Sequence, residues 1–253
     1  MHQLESKALP HQALETGDSK ALLKAIRSFL SDLNAKEELP LSQQAYLATR
    51  HAICELLLLP EQTVLERELS DLLEMSRTPV REALIRLETE GWIQIIPRRG
   101  FIVAAIAPDD FRQTFEVLQA LDELAVTLAT QHIMSHQLNQ LDHLIKEQEV
   151  ALEMDHLLKW TNLDREFHQL IIDAANNQHL KEVRDIQSDM IYRASLYTIK
   201  ARIKPTHSIL EHKAIVAAMR TQEPEAARTM LKSHQARAGK EMLKTLETIT
   251  SQL

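Results

Sequence analysis

The stretch MSRTPVREALIRLETEGW, residues 75–92, places three arginines within ten residues, a proline near a helix start and a glycine at its end. Thr78 suits the N-cap, Pro79 the first helical position and Gly91 a left-handed stop. Val80, Ala83, Leu84 and Leu87 fall on one helical face, which implies a small core beneath them. Arg77 and Arg81 are four residues apart, so they project together from the N-terminal end, away from that core. A first turn that shows arginines and hydroxyls outward suits a major-groove reader, because arginine can make two hydrogen bonds to a guanine edge. An ordinary solvated helix, with Arg77 and Arg81 paired to Glu74 or Glu82, is the alternative for either arginine taken singly.

The neighbouring residues decide between these. Upstream, LERELSDLLEM (65–75) predicts a bracing helix with Leu65, Leu69, Leu72 and Leu73 inward, and Leu41 to Leu58 predicts another. Downstream, WIQIIPRRGFIVAAI (92–106) has β-branched and aromatic runs around Pro97-Arg98-Arg99-Gly100, a hairpin signal with basic residues at its tip. Helix, helix, helix, hairpin over 41–105 describes a winged helix-turn-helix. Residues 1–17 read as irregular, and 18–35 as an amphipathic helix, capped at Asp18 or Ser19, that needs a partner surface on another subunit or on the C-terminal half. That gives a 1–40 extension. Residues 106–253 carry a helical period throughout. Six helices are expected, at about 109–132, 136–155, 158–176, 178–200, 206–221 and 223–250. The fold class is therefore mainly α.

Charge bounds the mode of DNA contact. The 253-residue chain has a net charge of -7, and residues 41–105 carry seven basic against nine acidic side chains, but 76–105 carry five basic against three acidic. Contact must be local and shaped, since a broad basic field is lacking. No apolar run approaches a membrane span, and the first residues lack a basic start followed by an apolar stretch, so the expectation is a cytoplasmic protein with no membrane partner. The lone Cys54 sits in an apolar helical pattern and reads as a buried thiol.

Residues 41–105 resemble the GntR family of bacterial transcription regulators. The resemblance is carried by Glu66-Arg67-Glu68-Leu69, by Ser76-Arg77-Thr78-Pro79-Val80-Arg81-Glu82-Ala83-Leu84, by Leu87-Glu88 and Gly91, and by Pro97-Arg98-Arg99-Gly100 with Val103. It implies that Arg67, Arg77 and Arg81 meet the major groove, that Ser76 and Thr78 contact phosphates, and that Arg99 and Gly100 enter the adjacent minor groove. Glu74-Met75 stand where the family commonly has Gly-Val, and the stretch LLLLPEQTV (56–64) lacks the glycines usual after the first helix.

A second constellation lies in the C-terminal half. Asp164 and His168 are four apart in NLDREFHQLI, and His212 and His234 stand on two later helices. One carboxylate and three imidazoles suit a divalent transition metal. With 12 histidines in the chain, ordinary surface or core histidines are the alternative from spacing alone. Residues 108–245 resemble the FCD ligand-binding domain of the FadR subfamily of GntR regulators, in its six-helix, VanR-like branch. Asp164-x-x-Phe167-His168, Asn176, His212-x-x-Ile215 and His234 carry that resemblance. It implies a metal at Asp164, His168, His212 and His234, with zinc first and nickel or manganese as other candidates, and a small carboxylate effector completing the shell. Members often carry an arginine where Leu118 stands here, so Tyr192 or Arg193 is the substitute candidate for holding the effector. The whole reads as a homodimeric transcription regulator, repressor or activator, that binds operator DNA and not as an enzyme. A metal-dependent hydrolase and a purely structural metal are the other readings. The hydrolase would need a general base and a substrate pocket, for which the sequence gives no signal.

Overall fold

The computed structural model describes residues 19–34 and 39–251, leaving aside the side chains of 19–22 and 34. The readings made for residues 1–17 and for Asp18 lie outside the described residues. The chain divides into two compact units, Met1–Ala105 and Ile106–Leu253.

The first unit holds α1 (Ser19–Asn34), α2 (Leu41–Cys54), β1 (Thr63–Val64), α3 (Glu66–Leu73), α4 (Arg77–Thr89), β2 (Ile93–Ile96) and β3 (Gly100–Val103). Val80, Ala83, Leu84 and Leu87 of α4 are buried, with Leu69 and Leu73 of α3, in a core that also takes Ile53, Leu57, Trp92 and Phe101. Cys54 is buried and free of any disulfide.

Four sequence expectations are corrected here. The helix that reads the quoted stretch starts at Arg77 with Ser76 as N-cap, two residues before the expected Thr78. Pro79 still fits, because the first-turn N–H groups have no intrahelical partner to lose. Leu65, expected inward, is the N-cap of α3 and 46% exposed; its N–H donates to Glu68 Oε2 at 3.0 Å. The hairpin is part of a three-stranded antiparallel sheet of order β1-β3-β2, with Val64 opposite Phe101. A two-residue strand is too short to leave a period in the sequence. Finally, α1 finds cover within its own unit: Ile26 is fully buried in the core of α2–α4, and Ala25, Phe29 and Leu30 pack against it. The Phe29 ring stacks on His51 at 4.1 Å.

Two positive φ angles shape the reader element. Gly91 (φ +80) ends α4 as read from the sequence, and Trp92 N–H donates back to Leu87 O at 2.9 Å. Gly100 (φ +92) starts β3 so close to β1 that a Cβ would stand 2.1 Å from Val64 O.

The second unit is six helices: α5 (Pro108–His132), α6 (Ser135–Glu153), α7 (Leu157–Ala174), α8 (Gln178–Thr198), α9 (Thr206–Arg220) and α10 (Pro224–Thr250). Asn177 caps α8, its Oδ1 accepting from Leu180 N–H at 3.1 Å. The main core draws Ala125 and Ala129 from α5, Leu141 from α6, Phe167 and Ile171 from α7, and Ile215 and Met219 from α9. Gly239 of α10 leaves a notch for the Phe115 ring of α5, which a Cβ would meet at 2.4 Å. These contacts fix α7, α9 and α10 around one end of a cavity.

Candidate nucleic-acid interface and candidate metal centre

On the first unit, Arg67, Ser76, Arg77, Thr78, Arg81, Arg98 and Arg99 are all exposed. A groove of about 580 Å³ between α4 and the wing is lined by Arg67, Arg77, Arg81, Arg98 and Gly100, with Ile85 and Ile95 on its apolar side. Arg99, Ser76 and Thr78 lie outside its lining. Arg98 takes the left-handed turn position (φ +64).

Ion pairing on this face is sparse. Arg81 stands 3.3 Å from Glu66 and Arg67 3.8 Å from Asp71, all with exposed guanidinium groups. Arg77 makes no ion pair among the described residues. Glu74, one of the partners considered for it, instead accepts a hydrogen bond from Arg27 of α1, and does so from a left-handed backbone (φ 56) where the family commonly has glycine. Other arginines of the unit are used internally: Arg86 lies 3.7 Å over the Tyr46 ring and donates to Glu90 and Gln43. Exposed pairs such as Arg81–Glu66 contribute little and exchange readily. The face therefore offers guanidinium groups to a partner at small internal cost.

In the second unit, α7, α9 and α10 bring Asp164, His168, His212 and His234 together, their ligand atoms all within 4.8 Å of one another. His212 and His234 are buried, Asp164 and His168 half-buried. Gln148 of α6 donates through Nε2 to Leu163 O at 3.1 Å, so its Oε1 faces His212 Nδ1 at 2.8 Å and that nitrogen must donate. Likewise His234 Nδ1 donates to Glu211 Oε2 at 2.7 Å. His212 is thus left with a lone pair on Nε2, and it faces His234 Nε2 at 3.3 Å. Asp164 Oδ1 is buried with no hydrogen-bond donor among the described residues, 3.5 Å from His212 Nε2. Converging ring nitrogens and an orphaned carboxylate oxygen fit a cation: the donor set is three nitrogens and one oxygen, and the outer partners orient the rings.

Electrostatics point the same way. Burial pushes His168 down to about 4, with Asp164 only partly countering it, and burial with neighbouring imidazoles holds His212 well below its ordinary range. His168 and His212 are thus held neutral at pH 7, as ligands must be. Burial pushes Asp164 up. For Glu211 burial works against ionisation, but hydrogen bonds from Arg237 and His234 outweigh it and bring the carboxyl to about 2. Arg237 Nε donates to Glu211 Oε1 at 2.6 Å.

Beside the cluster is a cavity of about 110 Å³ that Asp164, His168 and His234 help to line. Leu118 and Tyr192 line it too, whereas Arg193, the other effector candidate, is buried outside the lining. The arginines that do reach it, Arg165 and Arg184, escaped sequence reading, as did Gln148 and Glu211; their partners lie on other helices, so no short-range pattern marks them.

No described helix is long and apolar enough to cross a membrane. The model of bacterial regulatory proteins of the gntR family matches residues 41–103, and that of the FCD domain residues 113–237. The chain is similar to an uncharacterized HTH-type transcriptional regulator from the TAR-I ttuE-ttuC' intergenic region of Agrobacterium vitis. The two are 32% identical over 134 residues, 52% of this chain and 78% of the relative. It is 29% identical over 195 residues to the HTH-type transcriptional repressor RspR of Escherichia coli (strain K12), covering 77% of this chain and 86% of that one. Among solved structures, E. coli McbR/YncC shares the fold with a TM-score of 0.68 at 24% identity, over 79% of this chain and 96% of the other.

Proposed function

The chain belongs to the gntR family of bacterial regulatory proteins, with an FCD domain after its DNA-binding module, and from that membership we propose that this regulator is a cytoplasmic, homodimeric repressor released or engaged by a carboxylate held at a metal in the FCD domain. That the E. coli relative RspR is named a repressor supports the sign of the regulation. The three parts covering 1–40, 41–105 and 106–253 would then be extension, reader and sensor.

On the DNA side, Arg67, Arg77 and Arg81 would read base edges, Ser76 and Thr78 would hold phosphates, and Arg99 with Gly100 would follow the minor groove. The Ser76 hydroxyl is not spent on capping α4, which leaves it available. A pseudo-palindromic operator calls for two readers related by a two-fold axis. Val183, Ile186 and Met190 form an exposed apolar stripe on α8 at helical spacing, a surface that a second copy could cover.

The observation that carries the sensor reading is the convergence of the ligand atoms of Asp164, His168, His212 and His234 within 4.8 Å of one another, with the Nε2 atoms of His212 and His234 3.3 Å apart. A divalent cation bound by Asp164, His168, His212 and His234, zinc first, would be coordinated at that convergence and leave positions open. With one carboxylate and three neutral imidazoles the loaded centre would carry about one net positive charge in a low-dielectric site, which attracts an anion such as a carboxylate. Gln148 and Glu211 orient the rings. Tyr192 would bound the effector's far side, while Arg193, buried outside the cavity lining, would act on it only indirectly.

Elemental analysis of protein purified without chelators tests this. About one equivalent of metal is expected in the parent, close to none in a His168→Ala/His212→Ala variant, and an unchanged value in a His143→Ala control. Equal metal in parent and double variant would overturn the site. A metal that stays bound while no carboxylate alters operator affinity would leave only a structural ion.

A further inference from the structure

The cavity beside the histidine cluster contains two buried acceptors that no donor meets among the described residues: Asp164 Oδ1 and Gln235 Oε1. The metal proposed above would account for the first, but not for the second. Gln235 is 7% exposed, sits next to His234 on α10 and lines the same cavity. Its amide has a fixed orientation. Nε2 donates to Asp122 Oδ2 at 2.8 Å, and Asp122 Oδ1 accepts from Arg184 Nε at 2.7 Å. A buried carboxylate takes only donors, so the amide cannot turn over, and Oε1 is left as the free end.

The rest of the lining narrows the recognition further. The cavity's two guanidinium groups are already committed: Arg184 to Asp122, and Arg165 to Asp189 at 2.8 Å while lying 4.2 Å over the Tyr192 ring. Tyr192 OH donates to Asn162 Oδ1 at 2.6 Å. Leu118 adds an apolar stretch of wall. The far end of a ligand therefore finds guanidinium groups that each already hold a carboxylate, and beside them an unsatisfied acceptor. A buried acceptor left without a donor is costly, and a site built around one discriminates strongly against ligands that lack the donor.

Resting on the reading of a metal-bound carboxylate, we infer that Gln235 selects the effector: the carboxylate must also carry a hydroxyl or ammonium group that donates to Gln235 Oε1. The effector class is thus hydroxy- or amino-carboxylates, and dicarboxylates without such a donor are disfavoured.

Titration calorimetry on the zinc-loaded full chain tests this with butyrate and its three monohydroxy derivatives. At least one hydroxy acid should bind roughly tenfold or more tightly than butyrate. Gln235→Met should erase that gap by weakening the hydroxy acid alone, with zinc content and melting temperature retained. In Asp122→Asn the amide is free to turn over, so the gap should shrink although Gln235 is intact; this second variant serves if Gln235→Met does not fold. Butyrate and all three derivatives binding alike to the parent would overturn the inference, as would a preference that survives both substitutions, since metal chelation by the hydroxyl would then explain it. Failure of the underlying reading looks different: zinc binds, and none of the four acids binds at all. That result would remove this inference with it.

Discussion

Arg77 and Arg81 stand in solvent, and among the described residues the only ion pair between them and the rest of their unit is the one from Arg81 to Glu66. His212 and His234 are buried, and each already has its Nδ1 satisfied by Gln148 or Glu211. The two regions leave different things unfinished. The α4 face leaves charges that water hydrates well, and DNA at that face, as proposed above, would replace water around them. The histidine cluster turns ring nitrogens and a carboxylate oxygen inward, and a cation there, as proposed above, would satisfy them. One region is poised by exposure, the other by burial.

Acid should separate them most sharply. His168 has its pKa depressed by burial from the ordinary 6.5 to about 4. A depressed histidine stabilises the fold above 6.5 and loses that contribution as pH falls toward 4, because the unfolded chain takes up the proton and the native one does not. The size is roughly 3 kcal/mol for the metal-free protein, with His212 adding in the same direction and Asp164, raised by burial, opposing. Glu211, brought to about 2, loses its own contribution at lower pH, between about 4.5 and 2. In the first unit Tyr46 is pushed up to about 12 by burial and by its hydrogen bond to Glu90, so its contribution is present below pH 10 and lost between 10 and 12. Urea unfolding of chelator-treated protein, read by Trp92 and Trp160 fluorescence in turn through single-tryptophan variants, should show the second unit failing first in acid and the first unit in alkali. The opposite order would break the comparison.

A smaller effect is expected at the reader helix. Arg77→Ala should cost about 1–3 kcal/mol in operator binding and relax sequence choice at one base, leaving the melting temperature where it was. A fall in melting temperature instead would mean that Arg77 supports its own unit. The smallest concerns Glu66→Gln, which removes the exposed partner of Arg81. Stability should change by less than about 1 kcal/mol, and association with operator DNA should quicken at low salt, as measured by stopped-flow anisotropy. An unchanged rate would indicate that Arg81 is already disengaged from Glu66 in solution.

Periodicity carried much of the fold. The apolar face of α4 and the run of six helices after Pro108 are strong 3.6-residue signals, and they were legible. The start of α4 was not fixed by the same signal, because Ser76 and Thr78 both suit a cap and only the backbone decides. β1 left no trace, since two residues have no period. The partner of α1 was illegible for another reason: an amphipathic stripe records that a surface is covered, and the covering surface is α2 and α3. Asp164 and His168 share a helical turn and could be paired by spacing. Gln148 and Glu211, which orient the histidine rings, pair across 64 and 23 positions of sequence and look like any surface glutamine or glutamate. Gln235 is silent for the same reason.

Ile26 has a consequence for cooperativity. A side chain at zero exposure in the core of α2–α4 ties the helix that carries it to that core's opening equilibrium. The folded body to which the reader belongs thus begins by Ser19, well before Leu41 where the family resemblance starts. Amide protons along the buried face of α1 should then be released from protection together with those of α2, as one foldon.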